Sequence, residues 1–390
     1  MAASLWDSPL VNSVAFHPRR HAQGAGLPPH AIDGVFTDGH VSLGYRFFRP
    51  LQPDAYCAVV VLFHGNAEIA ADYASAATTL AAMQVPTALL AVDFRGYGWS
   101  TGEPAVARLL EDAELVDRLL HTVPSLKRDV PRILFGRSIG SLCAMHVAAK
   151  APTRYRGLIV ESGFHSILAL PMVSQMASFM PGGAAMLQML PEIFHIREKL
   201  ESLHLPFLVI HGEDDEIAPV QQGRDLYDAC AASVKKLQVF PRAGHNDLQL
   251  KYHRDYYASV EWLLQQATST GSALDAAFAA HQYERALRLG KEALASDTVD
   301  NIAVLSVLAK ASYCLYEVES TIKYTSQLLQ LAPNDVNALC LRAKAHWKLG
   351  DKAAAHADAI QLSLALVGNG VPQDASVAAA LLAIHFWSIQ

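Results

Sequence analysis

The stretch RILFGRSIGSLCAMHVAAK, residues 132–150, runs from a short apolar segment into a helical one through a turn made of glycines and a serine. RILF has the composition of a buried strand, and SLCAMHVAAK favours helix. Gly136 and Gly140 stand two positions to either side of Ser138, where the missing Cβ lets neighbouring backbone come close. A GxSxG string between a strand and a helix predicts a sharp turn that lifts the Ser138 hydroxyl above the sheet edge. The helix N-terminus then aims amide N–H groups at any negative charge that develops there.

Working outward, further apolar runs flank this one on both sides: AVVVLFHG (58–65), TALLAVDF (87–94), RGLIVESG (156–163), FLVIHGED (207–214) and KLQVFPRAGH (236–245). Amphipathic segments lie between them, near residues 70–84, 104–122, 139–150, 219–231 and 252–266. Continuous apolar strands alternating with helices predict an α/β fold, a mostly parallel sheet with helices on both faces. The pair Asp38–Gly39 before VSLGYRFF reads as a hairpin turn. The expected organisation is an N-terminal segment over 1–34, the α/β domain over 35–267, and a short cap insert at about 164–205.

Beyond the small-residue linker TSTGS (268–272) no strand is expected, and the rhythm becomes helical. YERALRLGKEAL, VESTIKYTSQLL and KAAAHADAIQL align with Ala286, Thr321 and Ala355 at equivalent positions, 35 and 34 residues apart. That spacing is the tetratricopeptide period; Leu339, Ala343, Gly350, Ala355 and Ala359 fall where the repeat takes small or aliphatic residues, and Pro333 ends the middle copy. The first copy lacks that proline. Residues 273–390 are therefore expected to be an all-α, TPR-like domain, with ASVAAALLAIHFW (375–387) capping the open end. A helical bundle without true repeats is the alternative.

A serine hydroxyl needs a base, and the base needs an orienting carboxylate. His245, in FPRAGHNDL, follows the last expected strand and can hang over the serine. HGEDDEIAP offers four consecutive acids; Asp215 leads, Asp214 is second, and Glu161 is a less favoured alternative. Oxyanion donors are expected from the amide of Ile139 and from the loop His64–Gly65–Asn66, through the amide of Asn66, with His64 structural. Arg137 either receives an anionic substrate group or pairs with an acid such as Glu161. Met172, Met176, Met180, Met186 and Met189 cluster in the insert with Phe179 and Leu187. Methionine surfaces adapt to varied apolar shapes, so Met172, Met176 and Phe179 are candidates for a pliable acyl-binding cap; packing between cap and domain is the plainer reading and the favoured one.

The strings FHGN, DFRGYGWSTGEP, GRSIGS, HGEDDEIAP and AGHNDL, in that order, resemble the α/β-hydrolase superfamily across residues 35–266. They are most similar to small-cap serine hydrolases filed with serine aminopeptidases and protein depalmitoylases. The resemblance implies an α/β-hydrolase fold and an acyl-enzyme mechanism. It places Ser138, Asp215 and His245 at the triad positions, Ile139 and Asn66 at the oxyanion hole, and Asp93, Arg95 and Gly96 in a structural floor. Two features depart from the pattern. Depalmitoylase-like members carry an N-terminal cysteine cluster, whereas the first cysteine here is Cys57. The insert is also short beside the caps of proline-type aminopeptidases.

Composition narrows the classes. Hydrophobic residues make up 52% and charged residues 17% of 390, with a formal charge of −6 and no basic block, which argues against nucleic acid as a partner. The five cysteines form no CxxC pair and read as reduced core thiols of a cytoplasmic protein. The start lacks a basic region followed by an apolar one, so a secretory signal is not expected. Ile167–Pro191 is uncharged but interrupted by Pro171, Pro181 and Gly182–Gly183, which predicts a helical insert rather than a membrane span. No phosphate-binding glycine loop and no metal-ligand spacing stand out, so no cofactor or metal is expected. The expected activity is a serine esterase or thioesterase acting on a small-molecule or acyl-protein substrate, with the helical repeats docking a protein partner or a second copy. The alternatives are an interaction scaffold with little activity and a serine aminopeptidase-like enzyme.

Overall fold

A computed structural model describes residues 9–368 apart from 53–54, 128–129, 153, 180–184, 186–188, 190–191, 270–273, 275–276, 279–280 and 296–300. The chain divides into two compact units, Met1–Thr268 and Ser269–Gln390. The first holds an eight-stranded sheet: β1 Ala31–Thr37, β2 Ser42–Phe48, β3 Ala58–Phe63, β4 Thr87–Val92, β5 Arg132–Arg137, β6 Gly157–Glu161, β7 Phe207–Gly212 and β8 Lys235–Phe240. The spatial order is β1-β2-β4-β3-β5-β6-β7-β8. β2 runs antiparallel to both β1 and β4, and every other pairing is parallel. The chain lays β4 on one side of β3 and then crosses to lay β5 on the other. Between β3 and β5 lies the topological switch point, where α/β sheets open a crevice at the carboxyl ends of the strands.

Alternation along the strands explains the covering on both faces. Val59, Val61 and Phe63 of β3 enter one core, while Ala58, Val60 and Leu62 enter the other. Helices α1 Pro9–Ala15, α2 Ala74–Ala81, α3 Leu109–Leu119, α4 Gly140–Lys150, α5 Pro171–Ser178, α6 Ile196–Glu201, α7 Val220–Ala229 and α8 Leu248–Thr268 complete this unit. α3, α4, α6 and α7 supply the first core through Leu115, Leu142, Leu200 and Leu226. α2 and α8 supply the second through Leu80, Val260 and Leu263. Each such fully buried aliphatic side chain contributes about 1.5–3 kcal/mol of burial free energy.

β1 begins at Ala31, ahead of the expected start at residue 35. Its sequence AIDGVFT shows no apolar run because Asp33 is held by Arg46 of β2, Nε to Oδ1 at 2.6 Å and Nη2 to Oδ2 at 2.8 Å. The cysteine expectation also needs correction: Cys143 and Cys230 are buried, but Cys57 and Cys314 are exposed. Cys57 sits one residue before β3, outside the apolar run. No helix among the described residues is long and apolar enough to cross a membrane.

The second unit is helical: α9 Tyr283–Ala295, α10 Asn301–Cys314, α11 Val318–Leu331, α12 Val336–Leu349 and α13 Lys352–Gly368. Each of these packs on the next in sequence. Ala286, Thr321 and Ala355, the three aligned small residues, are all fully buried. Gly290 lies against Leu308, where a Cβ would come within 2.6 Å of Cδ2. Asp335 caps α12 by accepting the Ala338 amide at 2.8 Å, and Gly350 ends that helix with φ at +87°. The expected capping segment 375–387 lies outside the described residues.

Candidate active site

Ser138 sits at the turn between β5 and α4 with φ at +51°, a left-handed backbone that a non-glycine residue seldom adopts. Its amide is bonded to the Glu161 carbonyl at 2.8 Å. Both flanking glycines are required. A Cβ on Gly136 would stand 2.5 Å from the Ser141 Cα, and one on Gly140 would fall on the carbonyl oxygen of Phe63. The second contact presses the start of α4 against the end of β3, so the loop after β3 lies beside the serine.

Three loops of the crevice bring the candidate reactive groups together. His245 Nε2 lies 2.9 Å from Ser138 Oγ, and His245 Nδ1 lies 2.8 Å from Oδ2 and 3.0 Å from Oδ1 of Asp215. The three residues are 6%, 6% and 4% exposed for Ser138, His245 and Asp215, so these bonds form with little water to compete. With Nδ1 donating to the carboxylate, Nε2 is left to accept the serine proton. The acid and histidine loops are laced together by backbone bonds, Glu213 N–H to Phe240 at 2.9 Å and Asp214 N–H to Ala243 at 2.9 Å. Asp215 Oδ1 also accepts the amides of Ile217 at 3.0 Å and Ala218 at 2.8 Å. Burial raises the Asp215 pKa, but the His245 hydrogen bond and charge, the Ala218 amide and His211 together hold it below the ordinary aspartate value. His211, fully buried, meets the Ala218 carbonyl through Nε2 at 2.7 Å, and burial pushes its own pKa down.

The other acids weighed from the sequence are engaged elsewhere or exposed. Glu213, Asp214 and Glu216 are exposed. Glu161 accepts the Tyr256 hydroxyl at 2.6 Å and Arg137 Nε at 3.1 Å. Arg137 is therefore not placed as a receptor for a substrate anion. Its guanidinium also meets Glu68 at 2.6 Å, the His245 carbonyl at 3.1 Å and Asn246 Oδ1 at 2.9 Å, and the residue is 8% exposed. Of the two readings open in the sequence, the ion pair with Glu161 is the arrangement found, extended to the histidine loop and to the loop after β3. Burial lowers the Arg137 pKa, but Glu161 and Glu68 outweigh it and the net shift is upward.

In the loop after β3, the Gly65 amide donates to Glu68 Oε2 at 2.7 Å, and Tyr73 donates to the same oxygen at 2.7 Å. The backbone N–H groups of Asn66 and Ile139 donate to none of the described residues. His64 is buried with Nδ1 2.7 Å from the Gly65 carbonyl, a structural position. Sequence reading missed the Asn66 side chain, which bonds to residues 15–17, and Gln222, which holds the base of the cap through the amides of His165 at 2.8 Å and Ser166 at 2.9 Å. A lone amide side chain carries no pattern that distinguishes such a clamp.

Helix α5 turns Val173 and Ala177 inward and leaves Met172 45% exposed, and Phe179, just past its end, is 80% exposed. Packing between cap and domain, the favoured reading of the methionine cluster, does not hold for these two or for Met189 at 84% exposed. Neither Met172 nor Phe179 is among the hydrogen-bond partners of the triad residues. The side chain of Met176, together with Met180, Met186 and Leu187, lies outside what is described. Among the described residues, no group of three His, Cys, Asp or Glu side chains is arranged to hold a metal ion.

With this geometry in place, comparison with known proteins identifies the class. The profile of the family Hydrolase_4, described as serine aminopeptidase, S33, matches residues 54–195 and 180–249. The chain belongs to this family. Protein bem46 of Schizosaccharomyces pombe is 34% identical over 158 residues, 40% of this chain and 51% of that protein. An uncharacterized protein of Mycobacterium tuberculosis is 32% identical over 238 residues, 61% of this chain and 80% of its own length. An uncharacterized membrane protein of Saccharomyces cerevisiae is 33% identical over 157 residues, 40% of this chain and 53% of that protein. The match thus spans about half the length of the fission and budding yeast relatives.

Proposed function

We propose that the chain hydrolyses carboxylic esters or thioesters through an acyl-enzyme on Ser138. The observation that carries this reading is the hydrogen-bonded line Ser138–His245–Asp215, built on a left-handed turn at the switch point of the sheet. Ser138 Oγ attacks the carbonyl carbon as its proton passes to His245 Nε2, and Asp215 steadies the imidazolium without taking the proton. The carbonyl oxygen becomes an oxyanion facing the amides of Ile139 and Asn66; each such donor is worth about 3 kcal/mol in the transition state. Collapse expels the alkoxide or thiolate, which takes the proton from His245. Water, deprotonated by the same histidine, then releases the acid and regenerates the serine.

An ester or thioester is favoured over an aminoacyl amide because Glu161, the buried acid beside the turn, is bonded to Arg137 and Tyr256 and is not free to hold a substrate ammonium. Met172 and Phe179, both exposed on the cap segment, support an apolar acyl group. A repeat domain that docks a protein partner or second copy is supported by Ile360, Leu364 and Val367, which expose 65%, 67% and 41% of their surface along one face of α13. The five free cysteines suit a reducing, cytoplasmic setting. Hydrolysis rates for p-nitrophenyl esters of rising chain length, acyl thioesters and an aminoacyl amide test the substrate class. Preference for an ester or thioester is expected; preference for the amide would overturn it in favour of a peptidase.

A further inference from the structure

Residues 9–21 run from the segment at 106–108, across the loop after β3, to residues 98–100. Asn12 accepts the Val106 amide at 3.0 Å, and Phe16 is buried in the main core at 3% exposed, fastening the segment to the domain. Immediately beyond, the His17 amide donates to Asn66 Oδ1 at 2.8 Å and to the Tyr97 hydroxyl at 3.0 Å. The Tyr97 hydroxyl in turn donates to Asn66 Oδ1 at 2.6 Å, and the Ala67 amide does so at 2.9 Å. Asn66 Nδ2 donates to the Ala15 carbonyl at 3.0 Å and meets His17 Nδ1 at 3.0 Å. Arg19 reaches the Ala67 carbonyl at 3.1 Å and Asp72 at 2.7 Å, and the strand-like bond from Gly98 N–H to the Arg19 carbonyl, 2.8 Å, closes the strap.

The donors and acceptors of the Asn66 side chain are thus filled by the strap, Tyr97 and its own neighbour. It is an anchor, and the backbone N–H of that residue donates to none of the described residues. The loop needs holding, because Ala67 has φ at +62° and is not a glycine. Arg137, through Glu68, restrains it from within the sheet edge; the strap restrains it from the other side. We propose that the N-terminal strap, through the His17 amide and the Phe16 plug, is a positioning element that holds the Asn66 N–H where an acyl oxyanion forms. The proposal rests on the reading of Asn66 as an oxyanion donor. A shift of about 1 Å at such a group lowers turnover by about 100-fold, so the strap controls rate although none of its residues reacts.

The test compares His17→Pro, which removes the amide hydrogen ahead of the existing Pro18, with His17→Ala, which keeps it and loses the ring. In the full chain, His17→Pro is expected to lower kcat for a p-nitrophenyl ester by about 10- to 100-fold with KM changed less than about threefold. Binding of a trifluoromethyl ketone, whose adduct carries the oxyanion, should weaken by the same factor, while the shape of the pH–kcat profile matches that of wild type. His17→Ala should keep at least about a third of wild-type kcat. If His17→Pro fails to fold, as judged by its thermal melt, Phe16→Ala loosens the same strap and should give the same kcat-selected loss. A folded His17→Pro or Phe16→Ala with kcat within about twofold of wild type, or a His17→Ala loss equal to that of His17→Pro, would overturn the proposal. Turnover surviving in Ser138→Ala would instead remove the reading on which it rests.

Discussion

Replacing Arg137 with Met leaves a side chain of similar length and takes away the cation that three loops share. Two carboxylates lose their cation and keep only neutral donors: Glu161, whose side chain is 3% exposed, and Glu68, at 27%. Removing one member of a buried pair strands the other and costs about 3–5 kcal/mol, and Glu161 is in that position. Glu68 has more water and adds only about 0.2–1 kcal/mol. A total of about 3–6 kcal/mol is a large part of the roughly 5–15 kcal/mol typical of a domain, so the variant should unfold at clearly lower urea. Because Arg137 also grips the His245 carbonyl and Asn246, kcat should fall as well. Glu161→Gln in the Arg137→Met background removes the stranded charge and should restore part of the stability, with a coupling energy of about 1–3 kcal/mol. KM should change equally for an anionic and a neutral ester. A stability loss below about 1 kcal/mol, with KM raised for the anionic ester alone, would refute the clamp and make Arg137 a substrate contact.

Gly140→Ala puts a methyl group onto the Phe63 carbonyl and 2.6 Å from that of His64; stability should fall by about 1–3 kcal/mol or more, and the folded fraction should show sharply reduced kcat in ester assays. Asp215→Asn should lower kcat by about 10³–10⁴-fold. Because the Asp215 pKa is held below its ordinary 3.8, the stability it contributes is full above that value and lost as pH falls through the folded pKa; the urea-midpoint gap to Asp215→Asn should narrow below pH 3.8. Lys199 is pushed down from 10.5 to about 8 by burial, so between those values the unfolded chain binds more protons and wild-type stability should rise with pH relative to Lys199→Met. A flat difference between the two proteins across that window would show that Lys199 is solvated.

The central strands β3 to β7 are legible because burial on both faces writes them as unbroken apolar runs. The serine turn is legible because close backbone approach at 136 and 140 admits only glycine. The choice among Asp214, Asp215 and Glu161 was not, since four consecutive acids look alike in sequence; what separates them is the turn that buries Asp215 under the amides of Ile217 and Ala218. The partners of Arg137 come from segments up to 109 residues away, and no local pattern announces them. β1 lies at a sheet edge, where a half-exposed strand carries polar residues and loses the apolar signature; β8, at the other edge, kept enough of it in KLQVF to be read. Methionine spacing in the cap indicated a helix but not which face points outward, and Val173 and Ala177 took the inner one. The apolar spacing of the strap VNSVAFHP marks at most a short helix, and its hold on Asn66, 49 to 51 residues away, appears only in three dimensions.

The most direct measurement is intact-mass and peptide analysis after reaction with a fluorophosphonate. Wild-type protein should gain one adduct, located on Ser138, with loss of ester hydrolysis in step. His245→Ala should label far more slowly, and Ser138→Ala should neither label nor hydrolyse. An adduct on another residue, or ester hydrolysis that survives in a pure Ser138→Ala preparation, would contradict the assignment of Ser138 as the nucleophile.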